Sequence, residues 1–420
     1  MNYVFIVLAV SVGGAAPLRA IGVAPMQGAL ALALLCALVV LAFSREARDH
    51  VVSAVTSRMG VLVGGVFAAW AVTVPFSFDP MGSLKIGGRT ALFVASIVLV
   101  WAALRPHEQA HRLALKSLVV LAVGLAGLTV LSLAGVPGVL SAMKFRAIEV
   151  ERPVFAFKAF AVAVMCMLPV VVWAGRRLGG RWRWMGHAFA PLAMAVMLLT
   201  YNRSAIAGLL AMGAVASVLL LLTRHVYGKV LSVFVVLSVV GGMAWVHAKE
   251  MAWVDEMEEA VRTQGITYTT RGPYVPEWIV DPHRQYIWKF AFDRFLDHPW
   301  VGNGIDQLNN LPGANQPVPG LESTSHVMPS HPHNWAFEIL AETGLLGFAP
   351  MVAALGVLFW TLARRFLATG DEARFAAALL MAGFWASALF SFSIWAVWWQ
   401  LTFLILSAIV LAGREDAVNG

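Results

Sequence analysis

Apolar residues arrive along this chain in long, nearly unbroken blocks rather than at helical or alternating intervals. A helix needs roughly 20 such residues to cross the hydrocarbon core of a bilayer. The blocks predict spans near residues 3–16, 24–43, 59–77, 88–104, 116–134, 154–174, 185–201, 205–222, 230–247, 335–361, 374–390 and 393–412. The expected fold is an all-α polytopic membrane protein with about 12 transmembrane helices and one large loop. Three regions follow: an N-terminal bundle over 1–247, a loop domain over 248–332, and the last helices with a short tail over 333–420. The first block, from Met1, lacks the basic start of a cleaved signal peptide and reads as a retained span.

Within the loop the pattern changes to amphipathic. The stretch EMAWVDEMEEAVRT, 250–263, predicts one helix, and HRQYIWKFAFDRFLDH, from His283, predicts a second. In the second, Ile287, Ala291 and Phe295 recur every four residues, with Arg284, Gln285, Lys289, Asp293 and Asp297 on the other side. HPWVGNG then ends the helix with Pro299, Gly302 and Gly304. The Pro-, Gly-, Ser- and Asn-rich stretch 309–329 reads as a flexible loop.

Composition agrees with the blocks: 60% of residues are hydrophobic and 13% charged. Such a chain is not a soluble domain. The net charge of +7 reflects loop bias rather than nucleic-acid binding, because most Lys and Arg lie in alternate short connections and the tail: Arg45, Arg48 and Arg58; Arg105, Arg112 and Lys116; Arg176, Arg177, Arg181 and Arg183; Arg224 and Lys229; Arg364, Arg365 and Arg374; and Arg414. The positive-inside rule makes these connections and both termini cytoplasmic. The large loop is then outside, and His333 faces outward. Cys36 and Cys166 lie inside apolar blocks without metal-ligand spacing and read as inert.

That orientation turns a few outer basic residues into exceptions. Lys85 and Arg89 are four apart, on one helical face, with Gly87 and Gly88 between them. Lys144, Arg146 and Arg152 crowd a short outer connection. Arg203 stands in TYNRSA between two spans, in a stretch with no Asp or Glu from Glu151 to Glu250. Two readings stay open for each: snorkelling to lipid phosphates, favoured for Lys144 and Lys158, or fixed cations for a pyrophosphate. Arg284 is one turn from Trp288, at stacking distance, with pairing to Asp281 as the alternative.

The last constellation is SHPHNWAFEILAETGLLG, 330–347, where a histidine-rich run precedes an apolar helix. Pro332 suits a first helical turn and Ser330 a nearby cap. His333 then falls at the positive end of the helix dipole, which favours a neutral imidazole able to accept a proton. His333, Phe337, Leu340, Gly344 and Gly347 share one helical face. A hydrogen-bonded structural histidine is the alternative, and His331 is a rival for the role. Glu338 and Glu342, four apart, read as solvated or hydrogen-bonded rather than as cation ligands.

His333-Asn334, nine residues, then Gly344-Leu345-Leu346-Gly347 resembles the signature of the bacterial O-antigen ligase and polymerase superfamily. Arg284 and Trp288 before HPWVGNG, and Arg203 in TYNRSA, resemble its loop and arginine motifs. The resemblance implies a ligase that moves O-antigen from undecaprenyl pyrophosphate to lipid A–core on the periplasmic face of the bacterial inner membrane. His333 would activate or position the acceptor hydroxyl. Arg203 and Arg284 would hold the pyrophosphate, with Lys85, Arg89, Arg146 and Arg152 as further cations. Neither a metal nor another cofactor is expected, and the reaction is expected to invert the anomeric carbon. Contacts with a polymerase and a chain-length regulator are compatible with that role. The alternatives are an O-antigen polymerase, a protein O-oligosaccharyltransferase with the same donor, or a transporter, which would show midplane charges and repeat symmetry.

Overall fold

The computed structural model describes residues 3–145, 153–223, 241, 282–317 and 326–413. The chain in these regions is helical. In order come α1 (Tyr3–Ala15), α2 (Val23–Phe43), α3 (Arg45–Thr56), α4 (Arg58–Thr73), α5 (Pro80–Leu104), α6 (Glu108–Leu133), α7 (Val139–Lys144), α8 (Pro153–Leu178), α9 (Arg181–Leu199), α10 (Arg203–Leu222), α11 (Pro282–Asp297), α12 (Trp335–Thr369), α13 (Glu372–Ser387) and α14 (Val397–Ala412). Seven of them are long and apolar enough to cross a membrane: those starting at Val23, Arg58, Pro80, Glu108, Val154, Arg203 and Trp335. Tyr3–Ala15 and Val397–Ala412 are shorter apolar helices. Apart from residue 241, the predicted span 230–247 and the predicted helix 250–263 lie outside the described residues.

Apolar blocks locate helices well but misjudge their ends, because polar residues also join helices. The helix expected from 88 starts at Pro80, capped by Asp79 accepting from the Gly82 amide at 3.0 Å. Lys85 and Arg89 therefore stand on a formed helix, not at its mouth. The polar stretch after Phe43, expected as a connection, folds into α3, capped by Ser44. The last two helices, expected to be two residues apart, are separated by a nine-residue connection without helical structure, 388–396.

The core is one continuous apolar packing of the bundle around α1, α6, α8, α13 and α14, with Phe157, Phe160, Phe189, Phe384 and Trp399 fully buried. A second, smaller core packs α11 on the start of α12: Ile287, Ala291, Leu308, Leu311, Ala314, Met328 and Ala341. The described parts of 309–329 belong to it. The Val327 amide donates to the Gln316 carbonyl and the Met328 amide to the Ala314 carbonyl. A segment expected to be flexible is thus partly a packed layer, because Leu311, Ala314 and Met328 supply apolar contacts that its Gly and Pro content conceals.

Candidate active site

The start of α12 departs from the expectation in a way that matters. Its cap is Asn334, whose Oδ1 accepts from the Ala336 amide at 3.0 Å and the Phe337 amide at 3.3 Å. Neither Ser330 nor Pro332 caps or opens the helix. His333 lies just before the cap with φ +54°, a left-handed conformation unusual for a non-glycine residue. It therefore does not share a helical face with Phe337 and Gly344. The turn swings its ring sideways instead, toward the connection between α13 and α14.

There His333 Nδ1 lies 2.9 Å from the Ser391 carbonyl. A carbonyl only accepts, so Nδ1 carries the proton and Nε2 is the basic nitrogen. The ring also faces His331, with centroids 4.1 Å apart. His331 Nδ1 accepts from the His333 backbone amide at 3.1 Å. Burial, and then the neighbouring His333 and Arg284, push the His331 imidazole down to about 3. His331 is thus a neutral acceptor that sets the backbone of His333.

Arg284, on the first turn of α11, donates to the Phe390 carbonyl at 3.2 Å. Arg284 and His333 consequently hang from adjacent carbonyls of one connection. Trp288, one turn on, donates its indole N–H to the Pro332 carbonyl at 2.8 Å and packs its ring on Phe337 and Phe390. The aromatic side chain tethers α11 to the histidine turn.

Arg203 is the first residue of α10. The cap Asn202 accepts from the Ala205 amide at 3.0 Å and donates to the Lys158 carbonyl of α8 at 2.7 Å. Lys158 in turn lies within electrostatic reach of both Arg203 and Arg284. Lys158, read from sequence as a snorkelling residue, thus joins the cationic group. No sequence pattern distinguished it, since the Asn202 bond that holds the start of α8 to that of α10 joins residues 44 positions apart. Arg203 and Arg284 stand on the first turns of α10 and α11, and helix starts favour anions.

The other predicted cations are distributed differently. Lys85 is exposed. Arg89 donates to the Trp395 carbonyl at 2.6 Å, with Asp306 as its charged neighbour. Arg146 and Arg152 lie outside the described residues. Lys144 donates to the Ala20 carbonyl at 2.7 Å. Burial raises the Asp306 carboxyl above its usual range, and Arg89 opposes that rise. Among the described residues, no group of three or more His, Cys, Asp and Glu is arranged to hold a metal.

The glycines of the two motifs prove to be partners. Helix α12 breaks at Gly344, with φ +58° and ψ −168°. The HPWVGNG segment fills the break. The Asn303 and Gly304 amides donate to the Ala341 and Glu342 carbonyls, and the Leu345 and Leu346 amides donate to the Pro299 and Trp300 carbonyls. A Cβ on Gly302 would stand 2.3 Å from the Glu342 carbonyl carbon, and one on Gly344 2.3 Å from that of Trp300.

Two further features were not legible as chemistry: the connection 388–396 and the buried Glu338 and Glu342. The signal available was the group Ser387, Ser391 and Ser393, which interrupts an apolar block.

Residues 187–352 match the family described as O-antigen ligase. That segment contains Arg203, Arg284, His333 and both glycine motifs. The chain is also similar to a putative polysaccharide ligase of Rickettsia prowazekii, 27% identical over 143 residues, covering 32% of this chain and 33% of the relative. A putative polysaccharide ligase of Rickettsia conorii is 22% identical over 220 residues, covering 51% of this chain and 48% of the relative. The matches thus span between a third and a half of the length of these relatives.

Proposed function

We propose, from the match of residues 187–352 to the O-antigen ligase family, that this chain is a member of that family and transfers O-antigen glycan from undecaprenyl pyrophosphate to lipid A–core. The reaction takes place on the periplasmic face of the bacterial inner membrane. The observation that carries the reading is the pairing of His333 and Arg284 on the adjacent Ser391 and Phe390 carbonyls. One basic nitrogen and one fixed guanidinium are thereby held side by side, with Lys158 close enough to feel the like charges of both Arg284 and Arg203.

The chemistry needs those two elements. The acceptor hydroxyl gives its proton to His333 Nε2 as its oxygen bonds the anomeric carbon. The anomeric carbon–oxygen bond to pyrophosphate breaks, and undecaprenyl pyrophosphate leaves with the electron pair. Arg203, Arg284 and Lys158 stabilise the charge that develops on it, which is the larger requirement with so good a leaving group. Lys85, Arg89, Arg146 and Arg152 are assigned to the approach of the donor, with Arg89 also securing Trp395. A single displacement inverts the anomeric configuration. No metal enters this scheme.

Deletion of the gene in its host tests the reading. Lipid A–core without a polysaccharide ladder, together with polymer accumulated on the lipid carrier, is expected. Complementation with His333→Ala at normal expression is expected to leave activity at least about a hundredfold down, as for loss of a general base, and wild-type activity to survive EDTA. Core carrying a single repeat unit would mark a polymerase, and an unchanged ladder would move the function to protein glycosylation or transport. Near-full activity of the Ala variant would end the role given to His333.

A further inference from the structure

Two carboxyl groups of α12 have no part in this chemistry. Glu338 and Glu342 are 1% and 2% exposed, in the short segment between the Asn334 cap and the Gly344 break. Burying a carboxyl is costly unless its oxygens are bonded, so the partners indicate the purpose. Glu338 Oε2 accepts from the Ile394 amide at 2.8 Å. Glu342 Oε2 accepts from the Trp395 indole N–H at 2.6 Å and from the Asp306 amide at 2.8 Å. All three donors belong to connections rather than to helices.

Trp395 is gripped from other sides as well. Its carbonyl accepts from Arg89 of α5, and its ring meets that of Trp70 on α4 edge-on, with centroids 5.2 Å apart. Residues 394–395 are therefore fixed against α4, α5 and α12 together. Only a few residues earlier, the same connection presents the Phe390 carbonyl to Arg284 and the Ser391 carbonyl to His333. An irregular connection has no hydrogen-bond ladder to fix such carbonyls. Its geometry is imported from whatever clamps it.

We propose that Glu338 and Glu342 are positioning residues, which clamp Ile394 and Trp395 so that the Phe390 and Ser391 carbonyls orient Arg284 and the His333 ring. The inference rests on the reading of His333 and Arg284 given above. The clamp needs acceptor oxygens on residues 338 and 342, and it needs the indole N–H of residue 395. Misplacing a reacting group by an ångström costs rate rather than affinity, so the effect belongs in kcat.

The test uses the full chain, purified in a native-like bilayer, with lipid-linked O-antigen as donor and lipid A–core as acceptor. Trp395→Phe removes the N–H and keeps the ring against Trp70. Its kcat per folded enzyme is expected to fall about tenfold with the donor KM changed less than about twofold, the pattern of an interaction realised in the transition state, beside a lower melting temperature from the lost buried bond. Glu342→Gln, which keeps an acceptor oxygen, is expected to retain most of the rate that Glu342→Leu loses. An unaltered kcat in Trp395→Phe would overturn the proposal. So would a loss of activity that tracks only the amount of folded protein, or a rise in KM at constant kcat. Full activity of His333→Ala in the same assay would instead remove the reading of the site, and the positioning role with it. The two failures are thus distinguishable.

Discussion

His331 shows how a single residue acquires a role from its surroundings. Its ring accepts from the His333 amide through Nδ1, which protonation at that nitrogen would forbid. Burial, with His333 and Arg284 beside it, pushes its imidazole from the ordinary 6.5 down to about 3. The sign of the linkage follows from that direction. Below 6.5 the unfolded chain takes up a proton that the folded chain refuses, so this contribution is complete above 6.5 and is lost as pH falls toward 3. Melting temperature measured from pH 7.5 to pH 5 is expected to fall in the wild type. His331→Asn, whose Oδ1 can accept the same bond without titrating, is expected to flatten that slope while matching the wild type at pH 7.5. Parallel slopes would refute the assignment. The sequence showed two histidines competing for one role. What it could not show was that His333 adopts φ +54° and turns its ring away from the helix it precedes.

At the scale of elements, the break in α12 is decisive. Gly344 and Gly302 lie on opposite sides of one backbone-to-backbone contact, each with positive φ and each with no room for a Cβ. Alanine at either position should cost about 3 kcal/mol or more, from the left-handed backbone together with the overlap. Because the two share one contact, the double variant should cost clearly less than the two single effects added. Thermal unfolding of the purified variants checks both statements, and a neutral Gly344→Ala would mean that the contact is not as tight as described. The two motifs were each visible in the sequence, 40 residues apart. Their mutual fit was not, because a glycine reports only that space is needed and never what fills it.

At the scale of the molecule, the functional candidates gather at one end of the bundle. The starts of α5 and α12 meet the connection 388–396 through Arg89 and His333, and those of α8 and α10 meet each other through Asn202, while the basic turns at 105–107 and 176–183 follow the far ends of α5 and α8. Helix α12 runs from one end to the other. After its break at Gly344 the helix continues unbroken from Leu345 to Thr369, and at 1.5 Å per residue that part extends roughly 37 Å, enough to cross a hydrocarbon core of about 30 Å. Gln316 and Thr369 are exposed near its two ends. In intact bacteria with a permeabilised outer membrane, a membrane-impermeant thiol reagent is expected to label Gln316→Cys and to spare Thr369→Cys until the inner membrane is opened. Labelling in the reverse order would invert the orientation and place the histidine on the cytoplasmic side.

Local patterns sufficed for what depends on local patterns. Apolar block length located helices, seven of which among the described residues are long and apolar enough to cross a membrane rather than the expected twelve; the distribution of Lys and Arg argued for an orientation, and motif spacing singled out Arg203, Arg284 and His333. The tertiary structure decided what depends on contacts between distant segments. It capped α12 with Asn334, drew Lys158 to the cations through Asn202, and inserted HPWVGNG into a broken helix. It also gave Glu338 and Glu342 their partners in a connection more than 50 residues away. The physical reason is that a hydrogen bond depends on the position and direction of both partners. One-dimensional spacing supplies these only within a helix turn. Between segments they are set by how the helices pack.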